Sequence, residues 1–158
     1  MRAQRTRGKG YRAMSEATPQ DKYTPATRDA IEKARESVKA YKHTHITPEH
    51  ILLGLIALNH ESVNRGFKLG KATPDQIKIL VQHHLRVGEY VIADDLLSFS
   101  ERAKRVIETA REEAQRVQKP QIGPEHLLLG LARVKNTVAA AVLAAVDLVP
   151  DAVRDAVK

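Results

Sequence analysis

The sequence predicts an all-α fold of eight helices in two pseudo-symmetric four-helix repeats, and three observations carry that expectation. Ile46-Thr47-Pro48-Glu49-His50-Ile51-Leu52-Leu53-Gly54-Leu55 returns as Ile122-Gly123-Pro124-Glu125-His126-Leu127-Leu128-Leu129-Gly130-Leu131, at a constant offset of 76 positions. The same offset pairs Ile31-Glu32 with Ile107-Glu108 and Pro74-Asp75 with Pro150-Asp151, so the repeated unit is the unit of folding. Helix-start signals recur inside each unit, and no segment shows sustained strand alternation bounded by hairpin turns. Each unit is too long for a solenoid repeat, which implies one pseudo-twofold domain.

Thr24-Pro25 offers an N-cap hydroxyl followed by proline at the first helical position, where its missing N–H costs nothing. Ala30, Ile31, Ala34, Val38 and Tyr41 then follow helical spacing, predicting an amphipathic helix over about 25–42. Thr47-Pro48 opens a short helix through Leu58 whose apolar composition implies central burial. A third helix is expected over about Ser62 to Leu69, ended by Gly70, and Thr73-Pro74 starts a fourth carrying Ile77, Leu80 and Val81. In the second copy Ser100 replaces Thr24 as N-cap, Gly123 replaces Thr47, and the last helix begins near Pro150 with Val153 and Val157 on its apolar side. The expected organisation is a disordered basic tail over 1–22, repeat 1 over 23–85, a linker over 86–98 and repeat 2 over 99–158.

Composition narrows the function classes. With 42% hydrophobic residues but only 4% aromatics, the core must be built from Leu, Ile, Val and Ala. No cysteine is present, which excludes disulfides, thiolate metal sites and a thiol nucleophile. The longest apolar stretch, Val138 to Val146, is about half of what spans a bilayer, pointing to a soluble protein with no membrane partner. The net charge of +7 is concentrated at one end, because Arg2, Arg5, Arg7, Lys9 and Arg12 precede the first acid, Glu16. Met14-Ser15-Glu16-Ala17-Thr18-Pro19 reads like a start of its own, which suits an extension upstream of the natural start for residues 1–13. A transit peptide would also be Arg-rich and acid-poor but should be longer and Ser-rich, and a basic arm for nucleic acid or an acidic partner is the remaining reading, with nucleic acid an unlikely partner.

Apparent catalytic and metal motifs do not hold. Gly66 to Ala72 suggests a phosphate loop, but only three residues separate Gly66 from Gly70 and Ala72 supplies no hydroxyl for magnesium. His43, His45 and His50, or His83 and His84, invite a metal, yet no HExxH spacing exists and the first two lie in a loop while His50 lies in a helix. No nucleophile and base stand in a recognisable order, so catalytic and metal residues are expected to be none, with no cofactor. Glu49 and Glu125, each in the first turn of an apolar helix, admit two accounts. One is stabilisation of the helix macrodipole; the other is a site where helix-start N–H groups hold an anion and the carboxylate pairs with a cation.

The repeated segments, with Tyr23-Thr24, Phe99-Ser100 and Ala110-Arg111-Glu112-Glu113-Ala114, resemble the N-terminal domain of the Clp ATPases of the ClpA/ClpC type, over about residues 23–158. The resemblance implies eight helices in two repeats and a module that docks substrates and adaptors ahead of an ATPase ring and the ClpP protease. Similar ClpC-type domains recognise phosphorylated arginine through a hydroxyl at the first-helix start and the glutamate of the second helix, which implies ligand-binding roles for Thr24, Glu49, Ser100 and Glu125. Two related pockets are expected, one near Thr24 and Glu49 and one near Ser100 and Glu125. The chain departs from the family pattern in Pro48 and Pro124, each of which removes one N–H from an anion cradle, and in lacking nucleotide-binding modules. The implied role is an accessory or adaptor module of a Clp protease system, with Clp ATPase, ClpP-type protease, substrates and adaptors as partners, in the cytoplasm or, in a eukaryote, the plastid stroma. The alternatives are a stress-related scaffold, a decoy, or a nucleic-acid binder through the basic arm.

Overall fold

The computed structural model describes residues 22–158; the tail expected over 1–22 lies outside the described residues except for Lys22. Eight α-helices are present among the described residues: α1 (Pro25–Ala40), α2 (Pro48–Leu58), α3 (Glu61–Phe67), α4 (Pro74–His83), α5 (Glu101–Arg116), α6 (Pro124–Arg133), α7 (Val138–Ala145) and α8 (Pro150–Ala156). A 3-10 turn at Asp94–Leu96 precedes α5.

The helix starts follow from local chemistry. Proline opens α1, α2, α4, α6 and α8, where its fixed φ suits the first turn. The Thr24 hydroxyl accepts the Thr27 N–H, Ser100 accepts the Ala103 N–H and Thr137 accepts the Ala140 N–H. At α4 the cap is reciprocal, since Thr73 accepts from Gln76 while the Gln76 side chain accepts the Thr73 N–H. The start of α3 differs from expectation: its N-cap is His60, whose Nδ1 accepts the Ser62 N–H at 3.2 Å.

Gly70 does not end α3 as the sequence suggests. The helix stops at Phe67, and Gly70 lies three residues beyond it, where an added Cβ would stand 3.0 Å from the Val146 carbonyl oxygen. The glycine lets this turn lie against the chain after α7, and the Lys71 N–H donates to that same carbonyl at 2.9 Å.

Two further glycines set how closely the first two helices of each repeat approach. A Cβ on Gly54 would stand 2.3 Å from the Ala30 carbonyl oxygen, and one on Gly130 would stand 2.5 Å from that of Val106. Ala30 and Val106 are themselves equivalent positions, so the α1–α2 crossing is rebuilt at α5–α6. The buried stripe of α1 (Thr27, Ala30, Ile31, Ala34, Val38) thereby covers the almost wholly apolar α2.

The repeats are not stacked as separate units. Helix α3 packs on α6 and α8 of the other repeat, and α7 packs on α2 and α4. Leu52, Leu55, Ile77, Leu128, Leu131, Leu143 and Leu148 are buried together in the resulting core. Short backbone pairings tie the halves at two equivalent places. The strands β1 (His45–Ile46) and β2 (Ser98–Phe99) pair in parallel, and Tyr23 pairs with Ile122 in the mirror arrangement. These pairings are too short to impose strand alternation on the sequence.

Candidate ligand sites at converging helix starts

The backbone pairings determine which helix starts meet. Because Ile46 lies beside Phe99, the Ser100 N–H donates to the Ile46 carbonyl at 2.9 Å and brings the start of α5 to the start of α2. The Thr24 N–H donates to the Ile122 carbonyl at 3.1 Å and brings the start of α1 to the start of α6. A buried bond from the Thr27 hydroxyl to the same carbonyl, at 2.7 Å, strengthens the second junction.

Of the four residues singled out in the sequence, Glu49 and Ser100 are brought together, across the repeats rather than within one. A cavity of about 280 Å³ is lined by Glu49 together with Ser100, Glu101 and Arg102 of the other repeat, and by Thr137 and Val138. Thr24 is not among its lining residues; it lies at the start of α6, beside the Ile122 that precedes Gly123, Pro124 and Glu125. Within-repeat pairing follows naturally from a linear motif, but the exchanged contacts Ile46–Phe99 and Tyr23–Ile122 cross the partners over.

Three N-caps, Thr47 of α2, Ser100 of α5 and Thr137 of α7, surround the Glu49 cavity. Three helix dipoles thus point their positive ends at one place, and first-turn N–H groups lack intrahelical partners. Glu49 lies among them, its Oε2 accepting the Ala139 N–H at 3.2 Å. In the other half Glu125 Oε1 accepts the hydroxyl of Ser62, in the first turn of α3, at 3.1 Å. Glu49 therefore caps α7 of the opposite repeat, while Glu125 holds the Ser62 side chain at the start of α3, whose backbone N–H is capped by His60. Their orientations differ for a steric reason: a Cβ on Gly123 would stand 2.7 Å from Glu125 Oε1, and the equivalent Thr47 carries such a Cβ.

His50 and His126, third in their helices, perform the reciprocal half of a capping box. The Thr47 N–H donates to His50 Nδ1 at 2.9 Å, and the Gly123 N–H donates to His126 Nδ1 at 2.8 Å. An imidazole that accepts at Nδ1 carries its proton at Nε2. His50 Nε2 passes that proton's bond to His43 Nδ1 at 2.8 Å, and His43 Nε2 bonds the Arg86 carbonyl. The loop and helix histidines thus meet, although their sequence contexts separated them. Burial, with the neighbouring His43, lowers the His50 pKa to about 4. Among the described residues no group of three or more His, Cys, Asp or Glu is arranged to hold a metal.

A further buried charge was missed. Glu113 is 2% exposed and accepts from Arg154 Nε at 3.0 Å, Arg154 Nη2 at 2.9 Å and Arg133 Nη1 at 2.8 Å. The Arg154 hydrogen bonds hold its carboxyl below the usual range against the opposing effect of burial. A sequence signal existed: Glu113 continues the spacing of Ala103, Val106 and Ala110 on the buried face of α5, and an acid on such a stripe calls for a cationic partner.

The model of the Clp repeat N-terminal domain matches residues 22–146. The chain belongs to this family. The Clp repeat domain is 33% identical over 150 residues, 95% of its length, to the chloroplastic chaperone protein ClpC1 of Oryza sativa subsp. japonica, of which it covers 16%. It is 31% identical over 125 residues, 79% of its length, to the Staphylococcus aureus ATP-dependent Clp protease ATP-binding subunit ClpC, covering 15% of that protein. The domain thus spans about one sixth of these curated relatives. Among solved structures, the N-terminal domain of the chaperone ClpD from Arabidopsis thaliana superposes with a TM-score of 0.66 at 26% identity, covering 87% of this chain and 98% of that one. The Candida albicans Hsp104 N-terminal domain, at TM-score 0.70 and 18% identity over 86% and 89% of the two chains, shares the fold. The family is that of the binding modules of Clp ATPases. No single helix among the described residues is long and apolar enough to cross a membrane.

Proposed function

We propose that this Clp repeat domain is a protein-docking accessory or adaptor module of a Clp protease system, presenting substrates, adaptors or phosphoarginine-type ligands to a Clp ATPase and its ClpP-type protease without chemistry of its own. The observation that carries the reading is the cavity where three helix starts meet Glu49 and Ser100. Converging N–H groups and the hydroxyl suit a phosphoryl group, and the carboxylate suits a guanidinium on the same ligand. Thr24 and Glu125 are proposed to form the second such site at the α1–α6 junction. Pro48 subtracts one donor, but the starts of α5 and α7 supply others that a within-repeat pocket would lack.

The test is reconstitution. A Clp ATPase and protease degrading a reporter substrate should change rate when this protein is added, while the protein alone hydrolyses neither ATP nor peptide. Unchanged degradation together with no association with either Clp component would refute the docking role, and ATP hydrolysis by the pure protein would refute its non-catalytic character.

A further inference from the structure

Repeat 2 contains a recess whose counterpart in repeat 1 is filled by the protein itself. It has a volume of about 420 Å³ and lies between the C-terminal ends of α5 and α8 and the start of α6. Its apolar surface comes from Val117, Leu129 and Val157, and its cations are Arg116, Lys119, Lys158 and Arg154. Glu113 and Glu125 also border it. Glu113 is paired with Arg154 and Arg133 and lies 3.9 Å from Arg116, and Glu125 is the other acid, so four cations face two acids and the lining carries net positive charge.

His126 supplies the directional group. The side chain is 4% exposed and lines the recess. Its Nδ1 accepts the Gly123 N–H, which places the proton on Nε2. That N–H has no hydrogen-bond acceptor in the described structure; the nearest carboxylate oxygen, Glu125 Oε2, stands 3.8 Å away, beyond hydrogen-bond length. A buried donor left unpaired is costly and calls for a partner.

Repeat 1 shows what kind of partner belongs there. At the positions of Val117 and Lys119 it carries Tyr41 and His43, whose stacked rings lie 5.7 Å apart. His50 Nε2 bonds His43, which in turn bonds the carbonyl of Arg86. The equivalent donor in repeat 1 thus ends on a main-chain oxygen through an aromatic plug. Replacing that plug by Val117 and Lys119 opens the space and adds a cation.

We propose that the repeat 2 recess binds the C-terminal carboxylate of a polypeptide whose last side chain is apolar. The carboxylate accepts the His126 Nε2–H and is flanked by Lys119 and Arg116, while the terminal side chain lies on Leu129, Val117 and Val157. This deepens the docking role, on which it rests, by naming one class of polypeptide end; it uses none of the Ser100–Glu49 cavity.

The experiment is fluorescence anisotropy with an amino-terminally labelled pentapeptide ending in leucine and valine, compared as free acid and as amide. The free acid should bind at least tenfold more tightly than the amide. The exposed substitutions Lys119→Glu and Val117→Asp, each checked by thermal melting, should each weaken the acid at least fivefold; Lys119→Glu should leave the amide unchanged, whereas Val117→Asp, which removes an apolar contact both peptides make, should weaken the amide as well. In nitrogen-edited NMR of the unmutated protein, the His126 Nε2–H resonance should move downfield on adding the acid. Equal binding of acid and amide, insensitivity to both substitutions, or an unmoved His126 resonance would overturn the proposal. So would tighter binding of an amidated peptide carrying an internal phosphoryl group, which would make the recess a phosphate site. Peptide binding without any effect on a Clp system would retain the recess and remove the docking role; a Clp effect without peptide binding would do the reverse.

Discussion

Glu49 in the first turn of α2 and Ala139 in the first turn of α7 are joined by a 3.2 Å hydrogen bond across 90 positions of the chain. In the other half Glu125 accepts from the Ser62 hydroxyl rather than from a backbone N–H, across 63 positions. The glutamates therefore serve two ends at once. They hold the interdigitated third helices in place, and each leaves one carboxylate oxygen at a junction of helix starts.

Substituting glutamine at both sites separates these roles. Glu49→Gln with Glu125→Gln keeps an oxygen that can accept from Ala139 and Ser62, so urea melts should shift by less than about 0.5 kcal/mol per site, whereas Glu→Ala at both should cost about 1 kcal/mol each. If the carboxylates pair with a guanidinium, calorimetric titration with phosphoarginine should show binding by the unmutated protein and none by the glutamine double variant. Retained binding in that variant would leave the carboxylates a capping role alone.

The helix starts were legible because proline at the first helical position has a local physical meaning: five helices open on it, three of them after threonine, one after Gly123 and one after Val149. The start of α3 was displaced because histidine is a poor predictor of an N-cap, although His60 Nδ1 does the work of a hydroxyl. The partnership of Ser100 with Glu49 was not legible. A tandem repeat fixes which residues are equivalent, but whether helices pack within or between copies depends on the Ile46–Phe99 and Tyr23–Ile122 pairings, which two-residue strands do not advertise. The Gly54 and Gly130 positions were visible as repeated letters, while their role at a helix crossing required the distance to the facing carbonyl.

That crossing gives the second prediction. Gly130→Ala would drive a methyl against the backbone oxygen of Val106, which cannot rotate away as a side chain could. Overpacking of this kind costs about 1–3 kcal/mol, outweighing the roughly 1 kcal/mol that alanine gains over glycine in a helix. Gly54→Ala should be at least as damaging, since its approach to Ala30 is closer. Thermal melting should show both variants destabilised; a stabilised variant would mean that the helices move apart without loss.

Glu113 supplies the third. Glu113→Gln keeps the shape but removes the charge facing Arg154 and Arg133, leaving two guanidinium groups without their shared anion. Removing one partner of a buried pair costs about 3–5 kcal/mol, but the arginines are 23% and 30% exposed and retain some hydration, so about 2–3 kcal/mol is expected from urea melts at pH 7. Arg154→Lys should recover less than full stability, because lysine cannot reproduce the two-oxygen contact.

The histidine chain gives the last. Thr47 N–H, His50, His43 and the Arg86 carbonyl form one directional series that requires both imidazoles neutral. Protonating His50 at Nδ1 would set a new N–H against the Thr47 donor. Its pKa is lowered from 6.5 to about 4 in the folded protein, so the unfolded chain binds the proton first. Stability from this group is therefore fully present above about pH 6.5 and is lost as pH falls from there through 4, by an amount on the order of 3 kcal/mol when complete. His43→Phe removes the relay and the neighbouring imidazole that helps to lower the His50 pKa, which should make the slope between pH 6.5 and 4 shallower while lowering stability at pH 7, where His50 Nε2 loses its acceptor. Urea melts of the two proteins at pH 7, 6, 5 and 4 measure both effects, and parallel pH dependences would show that the relay does not couple proton uptake to folding.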